Sequence, residues 1–289
     1  MAVTAKSMSG RICMVTGANA GIGKATALGL AKMGGTVVMV CRSRERGEAT
    51  LAEIKRESGN ASVHLLLADL SSQDDIRRLA AAFNAKVPAL HVLINNAGII
   101  PRKRTVTGEG FETQFAVNHL AYFLLTHLLL DILKASAPAR IVNVSSQVHH
   151  GASIDFDDLQ SERFYRPTRV YASTKLANVL FTYELARRLE GTGVTANCLH
   201  PGSVATNLLA DFLPTPLRFV TKIVGVSPEK GAQTPLYLAT SPEVEEVTGK
   251  YFVNQKPAAS SKPSYDRDLA RRLWQVSEKL TGAQTMQNR

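Results

Sequence analysis

Tyr171 and Lys175 bound the pentapeptide Tyr-Ala-Ser-Thr-Lys. Residues four apart on a helix share one face. An ammonium beside a phenol stabilises the phenolate, so the spacing predicts a tyrosine with a pKa below its ordinary value of about 10. Such a tyrosine can exchange a proton with an alcohol or a carbonyl near neutral pH. Alone, the pair is more often a half-buried ring beside a solvated charge, and the rest of the chain must decide.

The elements that would position this pair are visible as alternating patterns. Arg11 to Thr16, Thr36 to Cys41, Val63 to Leu67, His91 to Ile94, Arg140 to Val144, Val194 to Leu199 and Lys250 to Val253 are short apolar runs, as expected of strands buried on both faces. Glu45 to Ser58, Gln73 to Asn84 and Tyr171 to Arg188 carry the helical period, and the apolar stretch Leu120 to Leu133, too short to span a bilayer, reads as a buried helix. Strands alternating with helices predict an α/β fold of Rossmann type: a doubly wound parallel sheet of about seven strands with helices on both faces. Ligands bind such a sheet at the carboxyl ends of its strands, where the strand order reverses.

Thr16-Gly17-Ala18-Asn19-Ala20-Gly21-Ile22-Gly23 directly follows the first strand and opens a helix. Glycines there permit a tight turn and a close backbone approach to a pyrophosphate, and a helix N-terminus supplies free N–H groups. The spacing differs from the commoner Gly-x-Gly-x-x-Gly, so the loop gains its meaning from its place at the start of an α/β unit. At the end of the second strand an NAD site usually carries an acidic residue. Cys41-Arg42-Ser43-Arg44 stands there instead, and the Arg42 guanidinium suits a 2′-phosphate, which selects NADP(H).

Composition narrows the classes. The 289 residues are 45% hydrophobic, with no Pro/Gly/Ser-rich linker and no repeat, so one domain over 1–289 with a flexible tail at 1–10 is expected. The start lacks a charged-then-apolar signal segment, and a cytoplasmic protein is expected. Cys13, Cys41 and Cys198 are isolated, each in a predicted strand, and read as buried thiols in a reducing compartment. No zinc-ligand spacing occurs, and the His149-His150 pair lacks a third ligand, so no metal is expected. The net charge of +10 is spread along the chain, with Arg102-Lys103-Arg104 its tightest cluster and no nucleic-acid motif beside it.

Taken together, these residues resemble the short-chain dehydrogenases/reductases. The glycine loop matches the family's Thr-Gly-x-x-x-Gly-x-Gly, Asp69 its adenine-contacting aspartate, and Asn95-Asn96-Ala97-Gly98 its motif after the fourth strand. Asn118, Ser146, Tyr171 and Lys175 match the catalytic tetrad, and Pro201-Gly202 with Thr206 the segment that binds the nicotinamide amide. The resemblance implies cofactor contacts from Gly17, Asn19, Gly21, Ile22, Gly23, Arg42, Asp69, Asn95, Ala97, Gly98, Tyr171, Lys175, Pro201, Gly202 and Thr206. It also implies the roles: Tyr171 as proton donor, Lys175 lowering its pKa and binding the nicotinamide ribose, Ser146 holding the substrate oxygen, and Asn118 positioning a water next to Lys175.

His-His-Gly, Asp-Phe-Asp-Asp-Leu-Gln-Ser-Glu-Arg and Lys-Leu-Ala-Asn-Val-Leu-Phe, between His149 and Arg188, resemble the retinol dehydrogenase-like branch, as does the long interval from Ser146 to Tyr171. Membrane-bound members of that branch carry an N-terminal apolar anchor that this chain lacks. The branch implies NADPH-dependent reduction of a lipophilic, retinal-like aldehyde or ketone. The apolar segment Leu208 to Val226 suits such a substrate or transient contact with a membrane surface, and ordinary core or oligomer packing equally. Oxidation of a secondary or steroid alcohol is the alternative reaction, and a non-catalytic NADP(H)-binding sensor the alternative class. The family is commonly dimeric or tetrameric, which makes a homo-oligomer an expectation of the resemblance alone.

Overall fold

The structure, a computed structural model, describes residues 7–202 and 227–283. The apolar runs become β1 (Ile12–Thr16), β2 (Thr36–Cys41), β3 (Val63–Leu67), β4 (Val92–Asn95), β5 (Ala139–Val144), β6 (Val194–His200), β7 (Tyr251–Val253) and β8 (Lys256–Ala258). The helices are α1 (Gly21–Lys32), α2 (Arg44–Ser58), α3 (Gln73–Lys86), α4 (Thr113–Phe115), α5 (Ala121–Leu128), α6 (Leu130–Ala135), α7 (Pro167–Arg188), α8 (Pro228–Thr240) and α9 (Arg267–Thr281).

One sheet collects all the strands in the order β3-β2-β1-β4-β5-β6-β7-β8. β1 through β7 pair in parallel, with Val15 opposite Met39 on one side and Ile94 on the other. Parallel strands need helical crossovers on both faces, so two apolar layers result. One gathers Phe83, Phe123, Phe181 and Trp274, the other Leu30, Ile54, Leu199 and Phe252. The order reverses between β1 and β4, where crossovers diverge to opposite sides and leave a crevice above the strand ends.

Three details depart from the sequence expectation. β8 is an eighth, antiparallel strand of three exposed residues, joined to β7 through Asn254 and Gln255, both in the left-handed region (φ 49° and 65°). Positive φ at both turn residues matches the twist of a tight hairpin. A three-residue Lys-Pro-Ala strand is too short and too polar to show as an apolar run, and its proline is tolerated because the strand lies at the sheet edge. The helix expected over Leu120 to Leu133 is not continuous: a π-helical turn at Ala116–Leu120 precedes α5, and the chain breaks at Leu129 before α6. α7 begins four residues before Tyr171, with Pro167 at its first turn, where its missing N–H costs nothing.

α9 lies across α7. Its Trp274 packs against Phe123 and Phe181 at 4.9 and 5.8 Å between ring centroids, and the Arg188 guanidinium sits 4.3 Å above the indole. The contact fixes α7, the helix that carries Tyr171 and Lys175. Among the described residues no helix is long and apolar enough to cross a membrane. The three cysteines are buried in β1, β2 and β6 as free thiols.

Candidate active site

A cleft of about 1040 Å³ opens over the carboxyl ends of the strands at the switch point. The loop after β1 forms its floor. Gly17 and Gly21 have φ of 66° and 53°, a conformation that favours glycine. At Gly23 an added Cβ would collide with the Gly17 carbonyl oxygen and lie 2.5 Å from Asn96 Nδ2. Ala20, the cap of α1, offers no side-chain acceptor, so the first N–H groups of the helix face the cleft as a ready anion site. This cradle fits a pyrophosphate.

Two residues outside the expected contact set hold the loop to the next strand. Thr16 Oγ1 accepts from the N–H groups of Asn96 and Ala97 at 2.9 and 3.1 Å, and Asn96 Nδ2 donates to the Thr16 carbonyl at 2.8 Å. Both residues stand inside the quoted motifs, which is the signal that marks them. Gly17, Asn19, Gly21, Ile22, Gly23, Arg42, Asp69, Ala97, Gly98, Pro201 and Gly202 all line the cleft. Arg42 is 77% exposed at the end of β2, with its guanidinium 4.0 Å from the Asp69 carboxylate.

Asn95 is the exception. It is fully buried, and its Nδ2 donates to Thr126 Oγ1 at 3.0 Å and to Asn143 Oδ1 at 2.9 Å, beneath the cleft. A β4 residue facing α5 cannot also face the ligand, because successive side chains alternate between sheet faces. Thr206, and with it Leu208 to Val226, lies outside the described residues.

The carboxyl end of β5 and the first turns of α7 bring Ser146, Tyr171 and Lys175 to the other half of the cleft. Lys175 Nζ donates to the Val144 carbonyl at 2.9 Å, and Ser145 Oγ donates to the Lys175 carbonyl at 2.8 Å, which stitches the strand end to the helix. Nζ stands 5.4 Å from the centre of the Tyr171 ring and 5.6 Å from that of Tyr122. The Tyr122 hydroxyl in turn donates to the Ala97 carbonyl at 2.8 Å.

Asn118 occupies the π-helical turn, a feature that re-aims a side chain by one extra residue. It is fully buried behind the cleft wall. Its Oδ1 accepts from Ile99 N at 2.8 Å, and its Nδ2 donates to Ile99 O at 3.0 Å and to Thr174 Oγ1 at 3.2 Å.

The charges correct one expectation. Burial raises the Tyr171 hydroxyl above 10 instead of lowering it. Lys175 is 2% exposed, and desolvation pulls its ammonium down from 10.5 to about 7. A lysine that is only half charged near neutrality cannot overcome the desolvation of the phenolate. The sequence pair shows the neighbour but not the loss of water around both groups.

Beyond the reacting groups, Ile99, Ile100, Val117, Val148 and Thr168 line the cleft. No local pattern marks Val117 or Thr168 in the sequence. The insertion after Ser146 reaches this wall through Tyr165, whose hydroxyl donates to the Pro101 carbonyl and accepts from Gln114 Nε2, both at 2.8 Å.

Comparison with known proteins agrees with this geometry. The family described as short chain dehydrogenase matches residues 11–216. Retinol dehydrogenase 14 of Homo sapiens is 45% identical over 293 residues, covering 95% of this chain and 87% of its own. An uncharacterized protein from Mycobacterium paratuberculosis superposes with a TM-score of 0.79 at 33% identity, over 97% of both chains. A short-chain dehydrogenase from Escherichia coli CFT073 complexed with NADPH superposes with a TM-score of 0.70 at 25% identity, over 87% of this chain and 99% of its own. The chain belongs to the short-chain dehydrogenase family, in its retinol dehydrogenase-like branch, and is an oxidoreductase acting on CH–OH and C=O groups.

Proposed function

We propose that the protein reduces the carbonyl of a lipophilic, retinal-like aldehyde or ketone with NADPH. The observation that carries the reading is the convergence of Ser146, Tyr171 and Lys175 with the glycine loop and Arg42 on one cleft. The nicotinamide cofactor supplies the hydride. Tyr171 gives its proton to the carbonyl oxygen. Ser146 donates a hydrogen bond to the same oxygen and holds it in place as charge develops. Lys175 orients the nicotinamide ribose and, when protonated, favours the tyrosinate left after proton transfer. Asn118 locks the Ile99 backbone and Thr174, which keeps the cleft wall and the first turns of α7 in register. An apolar wall of Ile99, Ile100, Val117 and Val148 suits an apolar substrate body, in keeping with a relative named for retinol.

Cofactor choice follows from Arg42. Its exposed guanidinium, near Asp69 at the end of β2, is placed to bind a 2′-phosphate in two-pronged fashion. NADPH should be preferred over NADH by at least about tenfold in kcat/KM, equivalent to roughly 1.4 kcal/mol. Arg42→Ala should erase most of that preference through KM for NADPH. Equal efficiency with the two cofactors in the unmutated protein rejects the assignment.

The substrate class is tested with straight-chain aldehydes of increasing length. Each methylene buried in an apolar pocket contributes up to about 0.8 kcal/mol. kcat/KM should therefore climb steeply with length and level off once the wall is covered, with all-trans-retinal near the top and small polar sugars near the bottom. A flat series, with good turnover of a small polar ketone, removes the lipophilic assignment and leaves the cofactor assignment standing.

A further inference from the structure

His149 lies three residues beyond Ser146, in the 3-10 turn Gln147–Gly151, and has no exposed surface. Both of its ring nitrogens are engaged. Nδ1 stands 2.6 Å from the Ser146 carbonyl oxygen, and Nε2 stands 3.0 Å from the backbone nitrogen of Ser261. A carbonyl can only accept and a backbone N–H can only donate, so the ring must be neutral with its proton on Nδ1. The second proton of an imidazolium would point at another donor, and burial accordingly holds His149 down to about 4.

The ring is also clamped by packing. Its centroid lies 4.8 Å from that of Tyr251 in an edge-on contact and 4.3 Å from that of His150.

The far side of this link is itself anchored. Tyr183, two turns beyond Lys175 on α7, bonds its hydroxyl to Ser260 Oγ at 2.8 Å, Ser260 Oγ pairs with Ser264 Oγ at 2.6 Å, and Ser264 Oγ donates to the Ser261 carbonyl at 2.6 Å. Ser261 is thus pinned by its carbonyl while its N–H holds the imidazole. The family match ends at residue 216, so this anchor belongs to a segment beyond it.

Ser146 needs such a support. Ser145 makes the last sheet bond of β5, from its N–H to the Leu199 carbonyl at 2.8 Å, and Ser146 is the first residue past the sheet. Its carbonyl is held by His149 alone among the printed bonds, through the ring and, more weakly, through the backbone N–H at 3.2 Å.

We propose that His149 is a positioning residue for Ser146, transmitting the rigidity of the Ser260–Tyr265 segment to the serine that holds the substrate oxygen. The inference rests on the role given to Ser146 above. Misplacement of a group by about 1 Å can cost on the order of 10² in rate, so a missing ring bond should register in turnover before it registers in binding.

Two amide variants divide the ring's two bonds. In His149→Asn the side-chain NH₂ falls where Nδ1 stands and keeps the donor to Ser146 while losing Ser261. In His149→Gln the amide falls where Nε2 stands, accepts from Ser261 N, and leaves the Ser146 carbonyl without its ring donor. With all-trans-retinal as probe, His149→Gln should lower kcat by about tenfold or more, with KM for retinal and Kd for NADPH little changed, the pattern of lost positioning. His149→Asn should recover kcat to within about threefold of the unmutated enzyme, because the positioning bond is kept.

Equal losses in both variants, no loss in His149→Gln, or loss of NADPH binding in His149→Gln each overturn the proposal; the last would make His149 an ordinary core residue. Ser146→Ala, assayed alongside, separates the two layers. If Ser146→Ala is fully active, the role of Ser146 itself is wrong. If it is inactive while His149→Gln is not impaired, only the positioning role of His149 fails.

Discussion

Replacing Tyr171 by phenylalanine should lower kcat for retinal reduction by about 10² or more, the scale of general acid catalysis, while leaving the fold and NADPH affinity intact. The substitution removes one oxygen and keeps the ring that packs 5.4 Å from Lys175 Nζ. The local helix is held by bonds the change does not touch, since Thr174 Oγ1 donates to the Tyr171 main-chain carbonyl at 2.8 Å. Because burial raises the hydroxyl above 10, it carries its proton throughout the physiological range and is ready to donate in reduction. Initial rates, NADPH fluorescence titration and a thermal melt on the same preparation check the result. If Tyr171→Phe turned over every substrate at close to the original rate, the proton would have to come from elsewhere and the assignment would fail.

Much of this site is legible in the residues because its chemistry depends on local geometry. A pyrophosphate cradle requires glycines at positions such as 17, 21 and 23, and β-branched runs buried on both faces can hardly be anything but parallel strands. Tyr171 and Lys175 are legible because the helical repeat places them together. What stays hidden depends on distant atoms. The direction of the Tyr171 shift turns on water excluded by the whole fold. Asn95 and Asn96 look equivalent in the motif, yet strand alternation sends Asn95 into the core and leaves Asn96 bonded to Thr16. The π-helical turn that aims Asn118 has no sequence signal of its own. His149 reads as half of an idle pair until Ser261, 112 residues further on, comes to rest against its ring.

Lys175→Met should produce opposite effects on stability and on activity. The side chain is 2% exposed, and methionine has nearly its length without its charge. Moving a lysine from 10.5 to about 7 by burial corresponds, at about 1.4 kcal/mol per pKa unit, to a folding penalty on the order of a few kcal/mol wherever the folded protein must hold the charge. The sign follows from proton counting. Between about 7 and 10.5 the unfolded lysine is protonated and the folded one is not, so this group makes stability rise with pH across that interval, and the full penalty applies below 7. His119 and His149, held near 4, act below this window, and the thiols of Cys13 and Cys198 (raised to about 12) and Cys41 (raised to about 11) act above about 9. The interval from 7 to 9 therefore isolates Lys175. Without cofactor, Lys175→Met should melt several degrees higher than the unmutated protein at pH 7, since a few kcal/mol in a domain of this size moves Tm by at least about that much. The gap should narrow as pH approaches 9. Turnover should nevertheless fall by about 10² or more, because the same ammonium is needed to orient the ribose and to favour the tyrosinate. A melting difference that does not change with pH would show that the buried charge is not what separates the two proteins, and a fully active Lys175→Met would remove the lysine from the mechanism.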